Sequence, residues 1–69
     1  MDDKILLAAA TSKEICVALY QLNTGKYLVT LDTVPQTSYH VEFTYVNLQA
    51  ATVKIEQMAK SARAKIVYE

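Results

Sequence analysis

The sequence predicts one α+β domain spanning residues 1–69: an antiparallel meander of four strands, followed by a C-terminal amphipathic helix packed on one sheet face. Three observations lead there. Apolar and polar residues alternate from Ile15 to Thr33 with a single break at Asn23-Thr24-Gly25, the alternation resumes at Tyr39, and after Val46 the repeat changes from two residues to that of a helix.

The first segment, Lys4 to Ala10, is an apolar run whose length suits a buried strand better than a helix. With Ser12-Lys13 as a two-residue turn, Leu6, Ala8 and Ala10 face Leu19, Val17 and Ile15, leaving Leu7 and Ala9 on the opposite face. A competing pattern exists. Thr11-Ser12-Lys13-Glu14 fits a capping box and Gly25 suits a helix C′ position, which would make residues 12–22 helical in a β-α-β-β-α order.

In the preferred reading, Ile15 to Thr33 is a hairpin. Asn23-Thr24-Gly25 is a three-residue loop whose glycine takes the left-handed conformation, and Leu22 pairs with Lys26. Ile15, Val17, Leu19, Tyr27, Val29 and Leu31 then share the core face. Cys16, Ala18, Tyr20, Leu28, Thr30 and Asp32 share the other. Pro35 breaks the pattern within a loop of residues 34–38, since proline donates no ladder hydrogen bond. Tyr39, Val41, Phe43 and Tyr45 then alternate with His40, Glu42, Thr44 and Val46 as the fourth strand. Asn47 is a favourable N-cap for a helix over about 48–64, with Leu48, Ala51, Ile55, Met58, Ala59 and Ala62 in its apolar stripe. Gln49, Glu56, Lys60 and Arg63 form the solvated side. Ile66-Val67-Tyr68 is an apolar end that continues the helix, adds a short strand or reaches a neighbour.

Size and composition restrict function. A 69-residue domain hides only about 60% of its unfolded surface and usually needs reinforcement from a disulfide, a metal or a partner subunit. One cysteine and one histidine supply neither an internal disulfide nor a closed zinc site, so a partner subunit is expected. Seven basic and seven acidic residues cancel, so no overall field draws the chain to nucleic acid or an anionic membrane. The longest apolar run, Ile5 to Ala10, is far shorter than the roughly 20 residues of a membrane span, and it follows two aspartates rather than the basic start of a secretory signal. A cytoplasmic location is the expectation.

Three chemistries deserve weighing against plainer explanations. In the meander, Cys16 lies opposite Asp32, and Asp32 opposite His40 if the proline loop holds five residues. These are the residue types of a thiol nucleophile, an acid and a base, yet a triad needs histidine between the other two, and the single glycine sits in a turn rather than an oxyanion hole. A half-buried structural cysteine beside a surface histidine is the simpler account. His40 and Glu42 share a strand face as two possible metal ligands, and two ligands do not make a site. One glycine also cannot build a phosphate loop, so no cofactor is expected.

The second sheet face raises the functional question. Under a single helix it should be polar, yet Leu7, Ala9, Cys16, Ala18, Tyr20 and Leu28 make much of it apolar. At about 25 cal/mol per Å², covering even about 300 Å² of such surface is worth several kcal/mol. The expectation is a non-enzymatic protein-interaction module, a homodimer formed through Leu7, Cys16, Ala18, Tyr20 and Leu28 or through Ile66 and Tyr68, whose assembled surface binds another protein. Its size and composition suit a regulatory or accessory protein of bacterial, phage or plasmid type. The alternative is a dimeric nucleic-acid-binding protein using Lys54, Lys60, Arg63 and Lys65 as a basic stripe on the helix.

Overall fold

Alternating side chains cannot bury both faces of a sheet under one helix, and the architecture follows from that limit. The computed structural model describes residues 3–33 and 40–69. It contains β1 (Lys4–Thr11), β2 (Ile15–Leu22), β3 (Tyr27–Thr33), β4 (His40–Tyr45), α1 (Leu48–Ser61) and β5 (Ile66–Tyr68). The four main strands form the expected antiparallel meander, and the short β5 pairs antiparallel with β1, giving the sheet order β4-β3-β2-β1-β5. The segment 34–38, with its Pro35 loop, and Tyr39 lie outside the described residues.

The central hairpin sets the register. The Leu22 N–H donates to the Lys26 carbonyl (2.8 Å), the Gly25 N–H donates to the Leu22 carbonyl (3.1 Å), and Gly25 has φ +87°, as the three-residue loop requires. Every downstream pair follows, from Gln21 with Tyr27 to Ile15 with Thr33. Val17, Leu19 and Val29 are consequently buried on one face, where Ala51, Ile55 and Ala59 of α1 complete the core. Tyr27, Leu31, Phe43 and Tyr45 pack around them.

The turn between β1 and β2 sits one residue later than the Ser12-Lys13 turn that the sequence suggests, the Ser12 N–H donating to the Ile15 carbonyl (2.8 Å) around Lys13-Glu14. The Ser12 hydroxyl accepts from the N–H groups of Glu14 (3.2 Å) and Ile15 (3.1 Å), closing a turn in which Thr11 pairs with Cys16. The same serine would cap a helix in the β-α-β-β-α alternative; here it satisfies turn amides instead, and residues 15–22 are a strand. The register moves by two residues, so Ala8 and Ala10 keep their core face, opposite Leu19 and Val17. A bulge between Leu6 and Ala8 then reverses the phase of the strand's beginning. Leu7 packs against the core rather than on the second face, and Leu6, opposite Tyr20, takes its place there.

Asn47 caps α1 as expected, its side-chain oxygen accepting from the Ala50 N–H at 2.8 Å. The helix ends at Ser61, not near residue 64. Arg63 enters the left-handed region (φ 57°), its N–H donating to the Lys60 carbonyl, while the Ala64 N–H donates to the Ala59 carbonyl. That pair of bonds is a Schellman ending built on an arginine where glycine is usual. The reversal brings Ile66 beside Ala10 and Tyr68 beside Ala8, so the tail becomes a strand.

The resulting core is thin. Among the described residues its cluster holds eight buried apolar side chains, and four of them are alanines. No helix among the described residues is long and apolar enough to cross a membrane.

Replacing Arg63 by glycine removes the left-handed strain. Arg63→Gly is expected to raise unfolding stability by about 0.5–1 kcal/mol, while Asn47→Ala lowers it by about 1 kcal/mol, both read from urea midpoints at constant slope.

Candidate functional site

α1 lies over β2, β3 and β4 on the core face, and no described element covers the opposite face. Strand pairing arranges that open face in four rows. The first is Thr11, Cys16, Asp32 and His40. The second is Val67, Ala9, Ala18, Thr30 and Glu42. The third is Leu6, Tyr20, Leu28 and Thr44, and the fourth is Lys4, Leu22 and, by alternation, Lys26. Ala18 and Thr30 sit so low among larger neighbours that both are buried. Leu6 and Val67 remain exposed, and Tyr20 and Leu28 are half-buried. The Lys4 ammonium lies 4.4 Å from the centre of the Tyr20 ring, which makes a cation–π contact at the border of the patch.

A polar cluster occupies the β3–β4 corner. His40 holds two carboxylates, Asp32 through Nδ1 and Glu42 through Nε2 (2.9 Å). Asp32 is its neighbour across the strands, and Glu42 lies two residues along the same strand, so both project from one face. The hydrogen bond to Glu42, then that to Asp32, holds the imidazole pKa above its ordinary 6.5. Cys16 lies at the other side of Asp32 and its sulfur accepts from the Thr11 hydroxyl at 3.6 Å. The thiol and imidazole are thus separated by the carboxylate, with both ring nitrogens engaged by acids. Among the described residues no three acidic, histidine or cysteine side chains are disposed to hold a metal ion.

The other sequence-derived candidates disperse. Ile66 is half-buried against the core, and the Tyr68 hydroxyl donates to Glu56 at 3.2 Å, so much of the tail is engaged within the chain. Partial desolvation, then the bond to Glu56, raises the phenol pKa above 10. Lys54 places its ammonium 4.5 Å from the Phe43 ring centre, Lys60 is in the last helical turn, and Arg63 and Lys65 lie beyond the helix end. The four therefore do not form one stripe along α1. Conversely, Leu6, Val67 and Lys4 join the open face without having been singled out. Val67 follows once the tail is a strand, whereas Leu6 depends on a bulge that alternation alone does not reveal.

Comparison with protein-family models, with curated proteins and with solved structures finds no match. The geometry of the open face carries the functional reading.

The His40 cluster yields a prediction with a definite sign. An NMR titration should place the His40 pKa above 6.5, with Glu42→Gln and Asp32→Asn each moving it back down. Because the folded-state value is raised, the cluster's stabilisation is fully present below pH 6.5 and is lost as pH rises through that raised value.

Proposed function

We propose that this domain is a non-enzymatic protein-interaction module that acts as a homodimer, two copies covering each other's open sheet face. The observation that carries this reading is the apolar field on the uncovered face, with Leu6 and Val67 exposed, Ala9, Cys16, Tyr20 and Leu28 partly exposed and Ala18 at its floor, on a fold whose single helix is committed to the other face. Exposed apolar surface of this kind marks an interaction site on a small protein. The alanine-rich core strengthens the case, since a chain of this size gains little from its own interior and much from a second layer. A net charge of zero leaves no long-range repulsion between copies.

Dimerisation through the sheet leaves the helical layer outward. There Val53 is exposed beside Tyr45 and Lys54, at the junction of β4 and α1, with Leu48 exposed at the start of the helix. In this reading that junction is where a partner protein docks, and the protein is a cytoplasmic regulator or accessory factor rather than a catalyst.

Light scattering across low to high micromolar concentration should show the mass rising from 7.7 kDa toward twice that value. Tyr20→Ala should weaken association by about tenfold or more while leaving the circular dichroism of the monomer intact. A monodisperse monomer throughout the range would falsify the homodimer.

A further inference from the structure

The row order on the open face is asymmetric in size. The second row is small at its centre (Ala9, Ala18, Thr30), and the third row is large (Leu6, Tyr20, Leu28). The ends differ in charge, with Asp32, bonded to His40, in the first row and Lys26 in the fourth row just before the same strand. Building on the homodimer reading, we infer that the two copies are related by a two-fold axis running across the strands, between the second and third rows.

That axis reverses the row order of the facing copy. Tyr20 then settles over Ala18 of the second copy, Leu6 over its Ala9 and Leu28 over its Thr30, large side chains filling the hollows left by small ones. The outer rows meet as well. Asp32 faces Lys26 of the second copy, Cys16 faces Leu22, and each contact occurs twice, as an isologous interface demands. The strands of the two sheets run nearly antiparallel, within the roughly 30° spread of aligned sheet packing, so this register holds best at the central strand β2.

The competing axis runs along the strands through β2. It sets each row on its own copy, with Tyr20 on Tyr20 and Ala18 on Ala18. Large residues then hold the sheets apart where small ones leave a void, which close packing disfavours. It also brings Val67 against Glu42 and sets Asp32 opposite Thr11 rather than Lys26. Four strands about 4.8 Å apart and four rows about 6.7 Å apart give a footprint of roughly 500 Å² per copy. On the order of 1,000 Å² in total is the lower bound for a specific interface, so complementarity of the rows decides whether it holds.

Cysteine cross-linking separates the two axes. Residues 16 and 22 of one chain are about 20 Å apart along β2 and cannot be bridged by a reagent of about 10 Å, the spacing of packed sheets. With the axis across the strands, Leu22→Cys supplies a thiol opposite Cys16 of the second copy, so a short bifunctional thiol reagent gives covalent dimer on a denaturing gel. The wild-type chain, carrying Cys16 alone, stays monomeric on that gel. Lys26→Glu is expected to weaken association roughly tenfold at low salt, and Lys26→Glu with Asp32→Lys to recover most of it. These surface changes give a readout that does not depend on substituting the half-buried Leu22. Efficient cross-linking of the wild type through Cys16 alone would establish the other axis. A dimer in solution that neither chain cross-links, and that charge reversal leaves unaltered, would move the interface elsewhere while leaving the homodimer standing. A monomer by light scattering would overturn both.

Discussion

The domain depends on the register of the β2–β3 hairpin. Gly25, alone in the chain as a glycine, supplies the left-handed residue that lets Asn23-Thr24-Gly25 reverse the strand in three residues. Once Leu22 is bonded to Lys26, period-two geometry assigns every neighbouring side chain to a face. A slip of one residue would leave Val29 beneath the helix but set Cys16 and Ala18 there in place of Val17 and Leu19. Both layers of the molecule, the covered and the open, are set by that turn.

The covered layer uses its resources sparingly. Leu19, Ile55, Val17 and Val29 are the largest fully buried side chains, and alanine fills much of the remaining interior. Small residues bring helix and sheet close together but remove little apolar area from water. The apolar side chains that might have enlarged the core are on the other face. Leu6, Tyr20 and Leu28 lie there only partly buried, and in the proposed homodimer their covering would link folding to association.

The β3–β4 corner brings together the residue types of a catalytic grouping in an order unsuited to a triad. Cys16, Asp32 and His40 do line one row, as alternation along the three strands implies. Their order makes the aspartate a neighbour to both. Glu42, on the same strand face, takes the remaining ring nitrogen, so His40 joins two carboxylates on adjacent strands rather than activating a thiol. It thereby holds the polar corner of a face whose centre is apolar, and it helps tie β4 to the sheet through side chains as well as backbone.

By itself the sequence determined the strand–helix order, the central hairpin with its register, the face shared by Cys16, Ala18, Tyr20 and Leu28, and the Asn47 cap. These are local features, governed by alternation, turn chemistry and capping, whose causes lie within a few residues of their effects. Tertiary structure decided the rest. Whether Ser12 capped a helix or closed a turn depended on which amides the sheet left unpaired. The bulge that exchanged Leu6 and Leu7 arose because β1 must match both the β2 register and the β5 edge, with the Leu7 carbonyl accepting from the Glu69 N–H at 2.9 Å. Arg63 ended the helix because the chain had to turn back toward β1, where Ile66 and Tyr68 find their ladder partners. An edge strand recruited across the sheet is a long-range event, and period-two or helical patterning in three residues is too short a signal to announce it.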